Sequence, residues 1–391
     1  MSLSFDKNRT AGSNSGRGRC GRCERIRSSD AVKRGNKEKM KRVGHLMEKM
    51  LTKDNFIEAE RLLGKNKRDN RKAQYIAENA ERYGVRLLKK IQAGDFAWHK
   101  PRETVIVDSY KGKTRNLKIP CLEDQAAQLA WLNIAAPYIE RRNYFYNCGS
   151  IPGAGQTRSV KALQKWLKNP RMKYGAITDI KKFYETCPHS VVRKGLERLF
   201  KDKAFIDFAM GFVASMSDTD IGLAIGYPSS HWLANVALME LDHEIKRQFP
   251  DVKMTRYMDD VAMVSTNFRH IKKAVRFMKL FIEALKMRLK KWSVFRIRER
   301  GLRFLSYRFF NGYTLLAKKL MVRIASRIRK AATCMNAHAA AGIVSYFGIL
   351  KYCNSYNFRK IRIYPYINIY DCVRLISAES RRKNLEKCAC N

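Results

Sequence analysis

Two adjacent carboxylates, Asp259 and Asp260, sit in the middle of an apolar stretch, Tyr257-Met258 before them and Val261-Ala-Met-Val264 after. Like charges side by side repel and gain nothing from burial unless a divalent cation or a basic group neutralises them. A third carboxylate, Asp179, ends a short apolar segment, Tyr174-Gly-Ala-Ile-Thr-Asp179. If the fold brings the three together, the chemistry that fits is two-metal phosphoryl transfer. Two Mg²⁺ ions, or Mn²⁺ in their place, would be held by hard oxygen ligands about 3.5–4 Å apart. Asp179 and Asp259 would bridge the ions, with Asp260 a weaker ligand.

The elements that must position these residues read as follows. Tyr174–Asp179 is a strand, and Ile180 to Tyr184 turns away from it. Pro188-His189 opens a helix carrying Val192, Leu196 and Leu199. A loop from Gly222 to Ser230 precedes a helix from His231 to Phe249. A strand, tight turn and strand then follow, with Asp259 and Asp260 at the turn. Ile271, Val275, Met278, Ile282, Leu285 and Leu289 follow at helical spacing and form a core stripe. Ser293 to Ile297 reads as a closing strand. The order is a split β-α-β arrangement, an antiparallel sheet with helices on one face, in which Asp179 can lie beside the hairpin turn. Phe304 to Phe310 and Gly312 to Leu316 predict a further hairpin, and the chain from Lys318 is basic and helical, Tyr364, Tyr366 and Tyr370 packing among its last helices. Towards the N-terminus, a helix starts at Lys39 and a second spans Arg71 to Gln92. A two-stranded ribbon lies between Phe96 and Pro120, turning at Lys111-Gly112-Lys113. Its Arg115 and Lys118 suit phosphate contact. The Gly-rich loop Cys148 to Gly155 lacks the Gly-Lys-Ser/Thr of a P-loop, but it can approach a backbone or a phosphate closely.

Lys plus Arg number 79 against 35 Asp plus Glu, a formal net charge of +44 over 391 residues. Such an excess calls for a polyanionic partner, nucleic acid first, and is foreign to small-molecule enzymes. The charge is spread along the chain rather than gathered on one amphipathic helix, so no membrane partner is expected. Apolar residues make up 45% of the chain, enough for several compact lobes. Residues 1–38, rich in Gly, Ser, Asn and Arg, read as a basic flexible arm. The N-terminus is polar and basic rather than a secretory signal, and the ten cysteines read as reduced thiols of a cytoplasmic protein. Cys20 and Cys23 with Cys388 and Cys390 have half the spacing of a zinc site. Their separation to opposite ends of the chain favours solvated thiols.

With these motifs in order, the sequence resembles the reverse transcriptases. Asp179 with Phe183-Tyr184 resembles their first palm motif, and Tyr257-Met258-Asp259-Asp260 their catalytic hairpin. Ile225-Gly226-x-x-x-Ser230 with Leu233-Ala-Asn235 is similar to the motif that holds template and incoming nucleotide. Lys290, with Lys291 an equal candidate, lies where the family places a lysine near the leaving pyrophosphate. Phe304-Leu-Ser-Tyr307-Arg308-Phe309 resembles the primer grip, and Arg115 and Lys118 suit the triphosphate-binding fingers. The resemblance covers roughly Met40 to Leu320. It implies an α+β right-hand polymerase: N-terminal helices and fingers in 39–173, a split β-α-β palm in 174–310, and a helical thumb with a basic tail in 311–391. It implies an RNA template, nascent cDNA and deoxynucleoside triphosphates as partners, with a basic accessory protein or a structured non-coding RNA as further candidates. Tyr184, five residues after Asp179, would be the gate that excludes a 2′-hydroxyl. Within the family, Met40-Lys-Arg-Val-Gly44, Gly149-Ser-Ile-Pro-Gly153 and Ile225-Gly226 look most like the diversity-generating retroelement branch. That branch carries Gln where this chain has His231, which reads here as a helix-start residue. A defence-associated bacterial enzyme and a non-enzymatic nucleic-acid-binding protein of the same fold are the alternatives.

Overall fold

The computed structural model describes residues 42–389 apart from 66, 68 and 109–112, together with the side chains outside 108, 113 and 383–389. The arm, the tip of the ribbon and the cysteine pairs Cys20–Cys23 and Cys388–Cys390 lie outside the described side chains.

The architecture is mixed α/β. Its centre is a four-stranded sheet of β3 (Tyr174–Asp179), β4 (Lys253–Tyr257), β5 (Asp260–Ser265) and β6 (Ser293–Arg296), in the order β4-β5-β3-β6 and antiparallel throughout. Alternate residues of β3 and β5 point to opposite faces, and both faces are apolar. Ala176, Val261 and Met263 join the larger core, with α10 (Ser230–Gln248) and α11 (Phe268–Ala284). Ala262 and Val264, with the half-buried Ile177, join a second core with α6 (Gly155–Leu167), the strands that follow β6 and the C-terminal helices. Helices on one face alone were the expectation from sequence. The run Val261 to Ser265 is buried throughout, so the second face is covered as well.

The amphipathic helix α11 forms as its spacing predicts. Ile271, Ala274, Val275, Met278 and Ile282 are all fully buried, and burial of each larger side chain contributes about 1.5–3 kcal/mol. Asn267 caps its start by accepting hydrogen bonds from the amides of Arg269 and His270 at 2.8 and 3.3 Å. The helix stops at Ala284, short of the expected end. Lys286 then has a left-handed φ of 62°, and Leu289 bridges to Ile180 beside the sheet.

Other boundaries also depart from the expected ones. The helix expected from Lys39 starts at Leu46 as α1 (Leu46–Met50). His45 takes a left-handed φ of 56°, and Val43 pairs instead with Phe200. The Asp202 carboxylate fixes the start by accepting from the amides of Leu46 and Met47 at 2.9 and 2.8 Å, while also capping α9 (Lys203–Ala214) through the Phe205 amide. Burial alone would raise the Asp202 pKa; the three amide donors outweigh it and hold the carboxyl low. A helix the spacing did not suggest, α2 (Lys53–Gly64), follows. The stretch Arg71 to Gln92 is two helices, α3 (Arg71–Glu78) and α4 (Ala80–Gln92), parted at Asn79, whose side-chain amide donates to the Tyr75 carbonyl. The ribbon is present as β1 (Arg102–Asp108) and β2 (Lys113–Ile119), with Val105 and Val107 on one side and Ile106 on the other all exposed. It leads into α5 (Leu122–Arg142), which buries Trp131 in the larger core. Between β3 and α9 run α7 (Phe183–Thr186) and α8 (His189–Leu199). After β6 and the short α12 (Ile297–Arg300), the expected hairpin is a three-stranded sheet of β7 (Leu302–Phe304), β8 (Tyr307–Phe309) and β9 (Thr314–Leu316). The chain continues through α13 (Lys318–Thr333), α14 (Ala337–Leu350), α15 (Tyr356–Arg362) and α16 (Ile369–Ala389).

One buried ion pair ties the central sheet to its neighbours. Arg256 on β4 and Asp242 on α10 are 0% and 1% exposed. Arg256 Nε donates to both Asp242 oxygens at 2.9 and 3.0 Å, and a terminal nitrogen donates at 2.5 Å. The other terminal nitrogen donates to the Met258 carbonyl at 2.8 Å and so holds the turn that carries Asp259. On its free side, β4 is bonded to the segment before α6: the Arg256 amide donates to the Tyr146 carbonyl at 3.0 Å, and the Cys148 amide to the Arg256 carbonyl at 2.8 Å. Removing one partner of such a pair strands a buried charge, whereas replacing both with apolar residues is close to neutral. Asp242→Ala is therefore expected to lower stability by about 3–5 kcal/mol, and Asp242→Leu with Arg256→Met to cost clearly less. Urea denaturation of the two variants checks this; equal losses would show that the pair is not what holds this region.

Candidate active site

The antiparallel register sets Asp179, the last residue of β3, directly opposite Asp260, the first of β5. Directly opposed residues project from the same face. Asp259 comes from the two-residue turn between β4 and β5, where Met258 is left-handed with φ 58°. The turn residues are thus Met258 and Asp259, while Asp260 already belongs to the strand. Three carboxylates from two distant parts of the chain converge at one end of the sheet.

Their electrostatics are unfavourable without a cation. Burial pushes the Asp259 carboxyl up, followed by the charges of Asp179 and Asp260, to about 6. One oxygen of Asp179, Oδ1, is buried without a hydrogen-bond partner. The other, Oδ2, pairs with Lys290 Nζ, and the Lys290 amide donates to the Asp179 carbonyl at 2.8 Å. The hydrogen bond to Asp179 is the main reason the Lys290 pKa is raised. A free acceptor in a half-buried acidic cluster, with a neighbouring ammonium on its twin, is what a hard-cation site offers in protein atoms alone. The donor set fits a divalent ion.

The Gly-rich loop before α6 lies against the turn that carries Asp259. A Cβ on Gly149 would meet the Met258 amide nitrogen at 2.5 Å, so only glycine permits this approach. The ribbon is joined to the loop before α10 in a similar way. The Lys118 amide donates to the Ile225 carbonyl at 2.9 Å, and Gly226, at φ 121°, would place a Cβ 2.4 Å from the Lys118 carbonyl oxygen. Ile225 and Gly226 are therefore brought to the ribbon's base. The Lys118 ammonium itself pairs across the ribbon with Glu103 at 3.2 Å, and Arg115 lies opposite Ile106 on the same ribbon.

Tyr184 is partly buried, and burial raises its hydroxyl pKa, aided by the charge of Asp259 nearby. Its hydroxyl is 2.8 Å from His231 Nδ1, with the rings edge-on at 6.0 Å. Burial lowers the His231 pKa, and which of the two groups donates at this bond depends on the imidazole tautomer. From sequence His231 reads only as a helix-start residue, and α10 begins at Ser230. No spacing rule links it to Tyr184, 47 positions away.

Other expected site residues serve the framework. Phe183 is 1% exposed in the larger core, next to Tyr184. Asn235 is fully buried: its amide donates to the Gly149 carbonyl at 2.9 Å and its oxygen accepts from Asn147 at 2.9 Å and from Arg256 at 3.4 Å. It steadies the loop and the turn from behind. Tyr307 is buried and donates to the Ile349 carbonyl at 2.9 Å; Arg308 donates to the Arg300 carbonyl at 2.8 Å and lies over the Phe310 ring. Of the two lysine candidates, Lys290 is the one at the carboxylates. Tyr364, Tyr366 and Tyr370, expected to pack among the last helices, are exposed instead, because the linker between α15 and α16 turns Ile363 and Ile367 inward and α16 buries Cys372. Among the described residues, His99, Cys121 and Asp124 also gather within reach of one ion, but Asp124 is taken up by the His99 ring and amide at 2.8 and 3.0 Å.

Comparison with known proteins adds the following. No curated protein matches the chain. Among solved structures, the chain is similar to telomerase from Candida albicans in complex with a TWJ fragment of telomeric RNA, at 10% identity and a TM-score of 0.43, over 79% of this chain and 62% of that one. Apo telomerase from Candida tropicalis is similar at 11% identity and a TM-score of 0.41, over 59% of this chain and 51% of that one. The chain thus spans under two thirds of the length of these telomerases. Residues 104–309, more than half of the chain and the part holding all three carboxylates, match the family described as reverse transcriptase (RNA-dependent DNA polymerase). The chain belongs to the reverse transcriptase family.

Proposed function

We propose that this protein makes cDNA on an RNA template by nucleotidyl transfer at Asp179, Asp259 and Asp260. The observation that carries the reading is the register of β3 on β5, which opposes Asp179 to Asp260 beside the Asp259 turn in a chain of net charge +44. In this reading residues 39–173 are fingers, 174–310 palm and 311–391 thumb and tail. The three carboxylates would hold two divalent ions, Mg²⁺ or Mn²⁺, which supply Lewis-acid stabilisation of the attacking and leaving oxygens. The protein's own contribution is placement. The Arg256 hydrogen bond to Met258 and the close approach of Gly149 keep the turn from drifting. Lys290 stays charged beside Asp179 and offers a cation to the leaving pyrophosphate. Lys118, Arg115, Ile225 and Gly226 border the place for the incoming deoxynucleotide. The positive surface supports an RNA template and nascent cDNA as partners, and leaves room for a structured RNA as a further one. No helix among the described residues is long and apolar enough to cross a membrane.

A primer-extension assay on an RNA template tests the active site. Asp179→Asn and Asp259→Asn are expected to lower extension by about 10³-fold or more, as loss of charge stabilisation in the transition state does, with RNA binding retained. Extension by either variant at wild-type rate would remove the assignment.

Tyr184 is proposed as the sugar gate, with His231 as the residue that holds its ring. Tyr184→Ala is expected to admit ribonucleotides. His231→Ala is expected to move discrimination in the same direction by several-fold, the value of about one hydrogen bond. The double variant should discriminate no worse than Tyr184→Ala alone. Additive effects in single-nucleotide addition of dGTP and GTP would show that the two residues act separately.

The finer assignment, to an error-prone diversity-generating enzyme, rests on Ile225. An isoleucine side chain offers no hydrogen bond where the wider family has Gln, so pairing is checked by shape alone. The resemblance to that branch places the errors at template adenines. Ile225→Gln is expected to reduce errors opposite adenine several-fold, about 1 kcal/mol of selectivity. Sequencing of cDNA from a defined RNA reads this. Wild-type errors spread evenly over the four template bases would favour the defence-associated reading.

A further inference from the structure

At the end of the central sheet remote from the carboxylates lies a cavity of about 930 Å³. Tyr174, at its wall, is the first residue of β3 and Asp179 the last, so the two ends are about 17 Å apart along the strand. The cavity is bordered by Lys173, Arg296, Arg298, Glu299, Phe310 and Tyr313. The one carboxylate in this group, Glu299, pairs with Arg296 at 3.5 Å. Lys173 and Arg298 are exposed and have no carboxylate partner among the described residues. Phe310 and Tyr313 stack at 4.7 Å with an interplanar angle of 12°, and the Arg308 guanidinium lies 5.0 Å from the Phe310 ring centre. Tyr313 is 45% exposed.

We infer that this cavity is a second nucleic-acid site, one that takes a short single-stranded segment, with a base against Tyr313 and its phosphates on Lys173 and Arg298. Three features favour this ligand. Unpaired cations beside a stacked aromatic platform match the alternation of phosphate and base, and base–aromatic stacking holds any sequence. The volume falls in the range of about 300–1,000 Å³ that encloses a ligand rather than a flat contact. The position, at the opposite end of β3 from Asp179, sets the site apart from the place of the nucleotide being added. A strand bound here is held rather than copied, as the loop of a structured RNA would be.

Photocrosslinking of the full chain tests the inference. The probe is a single-stranded RNA oligonucleotide carrying 5-iodouridine, with crosslinked peptides identified by mass spectrometry. Crosslinks at Tyr313 or Phe310 are expected. They should be lost in Lys173→Glu/Arg298→Glu and weakened in the milder Arg298→Ala, and the salt slope of binding should fall by about one per phosphate contact removed. Extension of a short annealed primer–template should be unchanged in both variants, which separates this site from the active site. Crosslinks that avoid Phe310 and Tyr313, or that persist at them after charge reversal, would overturn the inference. So would displacement of the oligonucleotide from this face by polyglutamate as readily as by unlabelled RNA of equal charge, which would make the cavity an acidic-protein site.

Discussion

The pairing of Arg256 with Asp242 is the constraint on which the active-site end of the sheet depends. Removing two charges from water is costly, and the attraction between them recovers that cost only when the remaining donors and acceptors are also satisfied. Here they are: one guanidinium serves Asp242, Asn235 and the Met258 carbonyl together. The arrangement allows few alternatives. If α10 shifts, the arginine loses its carboxylate; if the turn shifts, it loses its carbonyl. Met258 stays in a left-handed conformation that a methionine rarely adopts because the surroundings over-determine it.

Against that fixed frame, the carboxylates are held in a state they would leave if free. A chain with so large an excess of lysine and arginine could have neutralised every acidic group with a nearby cation. It has instead placed a lysine on Asp179, left the second oxygen of that residue unpartnered, and half-buried Asp259 beside two like charges. Local instability of this kind concentrates at functional sites, where the rest of the fold outweighs it.

How much of this could be read from the chain follows from the range of each interaction. Strands β3 and β5, the turn between β4 and β5 and the stripe of α11 were legible because local periodicity and burial agree in them. The convergence of Asp179 with Asp259 and Asp260 followed from the element order. What stayed hidden depends on partners distant in sequence. Nothing local to Leu46 announces that Asp202 will cap it. Nothing around Asn235 shows that it faces Gly149 and Asn147. His231 looked like a helix start, and is one, yet its ring meets Tyr184 from across the sheet's flank. The apolar second face of the sheet was present in Ala262 and Val264, but a continuous apolar run does not say what covers it.

The hydrogen bonds between β4 and residues 146–148 have a consequence for how copies of the protein meet. An open sheet exposes unpaired amides and carbonyls on its outermost strands, and these can template the addition of a strand from another molecule. On the β4 side, Tyr146 and Cys148 already occupy such groups of Arg256. On the other side, β6 is only four residues long and ends in Arg296, with Arg298 just beyond. A short strand flanked by repelling charge is a poor template for self-association. The same cations that suit a polyanion thus also keep the most apolar sheet of the molecule from growing into its neighbours.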